Sequence, residues 1–142
     1  MKVINSFSGN YEFLSNFAGC NIINDGIHYP SVENAYQAHK TLDMDERLKF
    51  TTLTAGQAKR YGRKIALRSN WDAIKVDVMR QLLFKKFSQY EFSELLMLTG
   101  DAELIEGNDW GDTFWGVCNG HGENMLGKLL MEVRDELRNK DI

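Results

Sequence analysis

YPSVENAYQAHK, Tyr29 to Lys40, is the stretch on which the fold turns. Pro30 holds the chain extended, and Ser31 can accept a hydrogen bond from a free backbone N–H, which together predict a helix start at Val32. The expected helix runs for about three turns. At roughly 100° per residue, Glu33, Tyr36, Gln37 and Lys40 share one face, while Ala35, Ala38 and Leu42 share the other. The alanines allow close backbone packing on the buried side. The opposite side carries a carboxylate, a phenol, an amide and an ammonium. Such a face is either a solvated surface or the wall of a polar site, and periodicity alone leaves both open.

Working outward, Cys20–Ile23, then Asn24-Asp25-Gly26, then Ile27–Tyr29 reads as a β-hairpin, because an Asp-Gly turn supplies the positive φ that a tight connection needs. Upstream, Tyr11–Phe17 (YEFLSNF) reads as a turn packed by aromatics, with Asn16 as its polar group to test. Downstream, a short helix is expected over Asp43–Thr51. Thr54 and Gln57 stand at capping-box spacing for a third helix that Gly62 stops. The longest helix is expected from Trp71 to about Tyr90, buried centrally, with Lys75 and Lys86 inside its apolar arc. Each lysine either runs its stem out to water or faces an internal cavity. A short helix over Phe92–Leu98, a strand over Ala102–Glu106 and a last helix over Glu123–Arg138 complete the chain. The glycine-flanked start of that last helix offers free N–H groups for an anion. The expected fold is mainly α (α-rich α+β). It is a compact single domain over residues 1–142, with about six or seven helices, a small N-terminal β-hairpin and a short additional strand.

Bulk properties exclude several classes. A net charge of −3 argues against a long duplex nucleic-acid footprint. No apolar run approaches the roughly 18 residues of a membrane span, and the first residues lack the apolar run of a signal peptide. Two cysteines are too few for a disulfide framework or a zinc site, so reduced thiols and a cytoplasmic location are expected. Neither GxGxxG nor GxxxxGK[ST] occurs, GxSxG and HExxH are absent, and His28, His39 and His121 stand singly. No metal and no cofactor are expected. Oligomeric state is not legible in the sequence.

What remains is a set of carboxylates and aromatics: Glu33, Asp109, Asp112, Trp71, Trp110 and Trp115. Beside it lies the basic run Lys59, Arg60, Arg63 and Lys64. That run either complements the dipole of its helix end or grips an anion. Lys75 stands one turn from Trp71, so the two could line one pocket. Such groups suit cleavage of a sugar–base bond. A carboxylate activates water or balances an oxocarbenium-like transition state, flat rings hold the base, and cations hold a phosphate. Composition alone leaves this as one chemistry among several.

The motifs carry more. YEFLSNF (Tyr11–Phe17), YPSVENAYQAHK (Tyr29–Lys40), AKRYGRK (Ala58–Lys64) and NWDAIKVDVM (Asn70–Met79) are followed by LLFKKF (Leu82–Phe87) and LLMLTGDAELIEG (Leu95–Gly107). DTFWG (Asp112–Gly116) and GENMLGKLLMEVR (Gly122–Arg134) close the series. In this order they resemble the YbiA-like family, also called NADAR domains, through nearly the whole chain. The resemblance implies a compact α-rich N-glycosidase. Bacterial single-domain members are associated with hydrolysing the ribosylamine C–N bond of phosphorylated riboflavin-pathway intermediates. Other members remove ADP-ribose from guanine in nucleic acid or are linked to NAD-derived metabolites, and a non-catalytic ADP-ribose or nucleotide binder is the remaining alternative. The implied partner is a small phosphorylated ribosyl substrate or an ADP-ribose-like ligand. The family's catalytic glutamate, tryptophan and aspartate fall on Glu33, Trp71 and Asp112. Arg63 and Lys75 fall where phosphate or polar substrate contacts are expected. The reading of the residues themselves adds Asn16, Tyr36, Gln37, Lys40 and Trp115 as further candidate substrate contacts. One departure follows the Trp115-Gly116 pair: members often carry glycine-rich sequence there, whereas this chain has Val117-Cys118-Asn119. It bears on substrate identity more than on reaction type.

Overall fold

The computed structural model describes residues 2–140. In chain order these form β1 (Val3–Ile4), a 3-10 helix (Gly9–Leu14), β2 (Ile22–Asn24), β3 (Ile27–Tyr29), α1 (Val32–Ala38) and α2 (Met44–Lys49). Then come α3 (Ala55–Gly62), α4 (Trp71–Phe87), α5 (Tyr90–Leu98), β4 (Glu103–Leu104), β5 (Gly107–Asn108), β6 (Val117–Cys118) and α6 (Met125–Lys140). Helices dominate, as expected, and the strands are short pairs: β2–β3 antiparallel, β1–β4 and β5–β6 parallel. The sequence predicts the hairpin and a strand near β4 but gives no sign of β5 and β6, whose two-residue lengths leave no alternation to read. The described residues fall into two compact units. One covers Asn16–Lys86, and the other takes the described residues up to Ser15 and from Phe87 onward.

In the Asn16–Lys86 unit, Asp25 takes φ 50° and Gly26 φ 76°, the positive values the hairpin turn demands. The hairpin leads into α1, where Ser31 accepts from the Asn34 backbone N–H at 3.0 Å and donates to Asn34 Oδ1 at 2.5 Å. The expected start is therefore met. The expected length is not: α1 makes two turns rather than three, and the chain turns through His39 and Lys40, where Arg68 N–H donates to the Lys40 carbonyl at 2.7 Å. The face assignment also changes. Leu42 is 66% exposed rather than buried. Every residue of α1 is buried, because α2, α3 and both hairpin strands pack around it.

Asn34 is the polar tie of this packing. Its Nδ2 donates to the Phe50 and Leu53 carbonyls, both at 2.8 Å, in the chain between α2 and α3. Asn34→Leu is expected to destabilise the protein strongly, since a buried acceptor left without its donor costs about 1–3 kcal/mol. A lowered urea midpoint with an unchanged slope checks this; a midpoint like that of the native chain refutes it.

The capping box of α3 forms as its sequence predicts, with Thr54 and Gln57 exchanging bonds at 2.9 and 3.1 Å. Gly62 is the last residue of α3, but glycine is required there for a different reason from the one expected. It is no left-handed cap; a Cβ there would overlap the Gln37 amide. Glycine is needed for the close approach of α3 to α1. The helix α4 ends at Phe87, three residues before Tyr90, because Gln89 is extended and starts α5. Nor is α4 buried throughout. Met79, Leu82, Leu83, Lys86 and Phe87 are buried towards its C-terminal end, whereas Ile74, Val76 and Val78 are only half covered. Of the two lysines expected in its apolar arc, Lys86 is fully enclosed (0% exposed) rather than reaching water, while Lys75 stays partly open and faces Asp72 at 3.5 Å.

In the other unit, α6 buries Leu126, Leu129, Leu130, Val133 and Leu137 along one face. Gly127 lets α6 meet β4, since a Cβ would strike the Leu104 carbonyl and the Asn124 amide. The anion site expected at the start of α6 is overturned. Glu123, Asn124, Met125 and Leu126 N–H donate to the carbonyls of Thr113, Gly116, Phe114 and Trp115 at 2.8–3.3 Å. The DTFWG loop already satisfies the donors that an anion would use.

Candidate functional site

Ser31 starts α1 so that Glu33 falls in its first turn, and Glu33 N–H donates to the Asn16 carbonyl at 3.0 Å. The Glu33 residue is only 7% exposed. A carboxylate is expensive to bury without compensation. Gln37, one turn on, donates from Nε2 to Glu33 Oε1 at 2.8 Å and is itself 5% exposed. The polar face of α1 is thus not a wet surface.

Cations gather at the end of this helix. Burial pulls the Lys40 ammonium below the usual lysine range; the Glu33 carboxylate counters that pull, while Arg63 and Lys75 add to it. Three elements therefore place charges within electrostatic reach of Lys40: the α1 helix, the residue capping α3, and α4 one turn past Trp71. Arg63 itself is exposed. Tyr36, on α1, packs against Trp71 at the head of α4, with ring centroids 5.1 Å apart and planes inclined by 56°. Asn16 is buried; its Nδ2 lies 3.5 Å from Met79 Sδ, and its Oδ1 is shielded from solvent without a hydrogen-bond partner. The structure thus brings Glu33, Gln37 and Asn16 together, Tyr36 with Trp71, and Lys40 with Arg63 and Lys75, all inside one unit.

Asp112 and Trp115 belong to the other unit. There Asp112 Oδ1 accepts from the Phe114 and Trp115 N–H groups at 3.1 and 2.9 Å. Asp112 N–H in turn donates to Asn108 Oδ1 at 3.0 Å, and Asn108 Nδ2 donates to the Asp112 carbonyl at 2.9 Å. Asn108, missed by sequence reasoning, is the hub that shapes this loop. An asparagine opening a Gly/Asp-rich segment was the available signal, since its side chain readily bonds nearby backbone. Trp115 meets Phe114 edge-on at 4.9 Å, and Trp110 is exposed.

Of the three histidines, His39 is buried and structural, whereas His28 and His121 are exposed. His39 bonds the Ala35 carbonyl through Nδ1 and Asn24 through Nε2, each at 2.6 Å. Burial lowers its pKa, against the opposing pull of the Ala35 carbonyl. Among the described residues no group of His, Cys, Asp and Glu side chains is placed to hold a metal ion, and no helix is long and apolar enough to cross a membrane.

A buried carboxylate held by an amide, beside clustered cations and an aromatic pair, can stabilise positive charge on a sugar carbon while a phosphate is held nearby. Comparison with known proteins agrees with that chemistry. Residues 5–138 match the model of the NADAR domain family. The chain is 41% identical over 137 residues to the N-glycosidase YbiA of Shigella boydii, covering 93% of this chain and 85% of that protein. It is 42% identical over 136 residues to a riboflavin biosynthesis protein of Vibrio vulnificus, covering 91% of this chain and 36% of that longer protein. The NMR structure of the E. coli protein YbiA matches with a TM-score of 0.86 at 37% identity, covering 99% of this chain and 89% of that one.

Proposed function

We propose that this chain, which belongs to the NADAR domain family, is an N-glycosidase acting on phosphorylated ribosylamines. Its substrates are reactive riboflavin-biosynthesis intermediates, the 5-phosphoribosylamino-pyrimidines. The observation that carries the reading is the buried Glu33 carboxylate with the Lys40 ammonium within its electrostatic reach. The relatives named N-glycosidase and riboflavin biosynthesis protein support it.

In the proposed reaction the bond from C1′ of the ribose to nitrogen breaks, and its electron pair leaves on the nitrogen. Water attacks C1′ and gives its proton to Glu33, which also balances the cationic sugar before attack. A proton passes to the departing nitrogen, so the products are ribose 5-phosphate and the free aminopyrimidine. Lys40, Arg63 and Lys75 are the phosphate's partners, Trp71 and Tyr36 line the place of the base, and Asn16, whose carbonyl accepts from the Glu33 N–H, is a further candidate substrate contact. Asp112 and Trp115 enter from the sequence, Asp112 by the family resemblance to hold ribose hydroxyls or assist the leaving group and Trp115 as a loop aromatic to touch substrate. The whole chain acts as one domain in this proposal, supported by a family match that runs from residue 5 to residue 138. A cytoplasmic place of action completes it, supported by the two free thiols, Cys20 and Cys118.

The test is a side-by-side hydrolysis assay on a 5-phosphoribosylamino-pyrimidine and on an oligonucleotide carrying ADP-ribosylated guanine. Release of ribose 5-phosphate from the first, at a kcat/KM well above that for the second, is expected. Preference for the oligonucleotide would reassign the substrate. Tight calorimetric binding of ADP-ribose without product from either would make the protein a binding module.

A further inference from the structure

Gln37 stands on the polar face of α1 among the groups expected to touch substrate, yet its surroundings give it another task. Its Nε2 is committed to Glu33 Oε1 at 2.8 Å. Its Oε1 is shielded from solvent, has no hydrogen-bond partner, and lies against Gly62 of α3. The oxygen end of the amide is therefore closed to a ligand, and the nitrogen end is already bonded to Glu33. Turning the amide over would set its oxygen against a carboxylate oxygen and leave the NH₂ facing the Gly62 backbone, so the observed orientation is the one Glu33 demands. A buried acceptor without a donor is unfavourable. The fold tolerates it here while bringing α3 in so closely that only glycine fits at position 62.

We propose that Gln37 is a positioning residue for Glu33, holding the carboxylate through the Nε2–Oε1 hydrogen bond, and that Gly62 keeps the amide in that orientation. The inference rests on the reading of Glu33 as the catalytic carboxylate, and it adds what makes that carboxylate ready. A hydrogen bond to the charged form favours it, so Gln37 extends to lower pH the range over which Glu33 is ionised. Other charges bear on the same carboxylate: Lys40 directly beyond α1, with Arg63 after α3 and Lys75 on α4 grouped around Lys40. From the remaining elements against α1, Arg47 of α2 is bonded to Asp25 and the Thr41 carbonyl, and β3 contributes His28 and Tyr29. None of those bonds is touched by changing the amide.

The decisive measurement is the side-chain carboxyl ¹³C shift of Glu33 against pH, the resonance being assigned by its loss in Glu33→Gln. Gln37→Met fills the same space without a donor. Gly62→Ala keeps the amide but drives it off Glu33. In each, the Glu33 midpoint should rise by about one unit, the shift expected on losing a hydrogen bond to a charged group, and the acid limb of kcat/KM should follow. In the unaltered protein the Gln37 NH₂ proton resonances should titrate with that same midpoint. A folded variant whose Glu33 midpoint is unmoved, or Gln37 protons that ignore Glu33, would overturn the proposal. These titrations need no substrate, so their failure is separate from that of the catalytic reading, which turnover by Glu33→Gln decides.

Discussion

Glu33→Gln should lose about 10²–10⁴-fold in kcat, the usual contribution of one general acid or base. Shape is kept and one carboxylate becomes an amide, so the α1 packing around residue 33 is disturbed little. The loss should fall on kcat and spare KM. Removing the anion leaves Lys40, Arg63 and Lys75 with less countercharge, which favours a phosphorylated ligand if it changes binding at all. An effect confined to kcat is the signature of an interaction made chiefly in the transition state. Steady-state kinetics on the phosphoribosylamino-pyrimidine, with a thermal melt as control, reads it out. Wild-type kcat in a folded Glu33→Gln protein would remove Glu33 from the mechanism.

Why Glu33 was legible in part is a matter of how far local rules reach. Ser31 and the residues after it specify a helix start through one hydrogen bond, and that is local chemistry. The length of α1 is not local: it ends where Lys40 offers its carbonyl to Arg68, across all of α2 and α3. Burial of the polar face was equally out of reach. A two-turn helix enclosed by two helices and a hairpin has no wet side, whatever its periodicity. Gly62 shows the same limit from the opposite direction. Its position at a helix end was readable, but its cause, a contact with Gln37, lies between helices. The start of α6 failed as an anion site because the carbonyls of a preceding loop fold back onto it, and no spacing rule announces that. The resemblance reached further than periodicity because the order of whole motifs identifies the NADAR family and its α-rich fold without any local derivation.

Trp71→Ala should be the most damaging truncation at the candidate site. Trp71 is 5% exposed and packs on Tyr36, so its loss opens a cavity worth about 3–5 kcal/mol. Against a total stability of about 5–15 kcal/mol this is severe, and the melting temperature should fall by roughly 10–15 °C. Lost activity in that variant would not by itself locate Trp71 on the substrate. Trp71→Phe separates the two effects, because a smaller ring still rests on Tyr36 and the variant should stay folded at assay temperature. If Trp71 meets the base as proposed, Trp71→Phe should still lose about tenfold in kcat/KM, equivalent to about 1.4 kcal/mol. A Trp71→Phe protein with native kcat/KM would confine the indole to packing. Tyr36, on the helix that carries Glu33, would then be the aromatic left to line the place of the base.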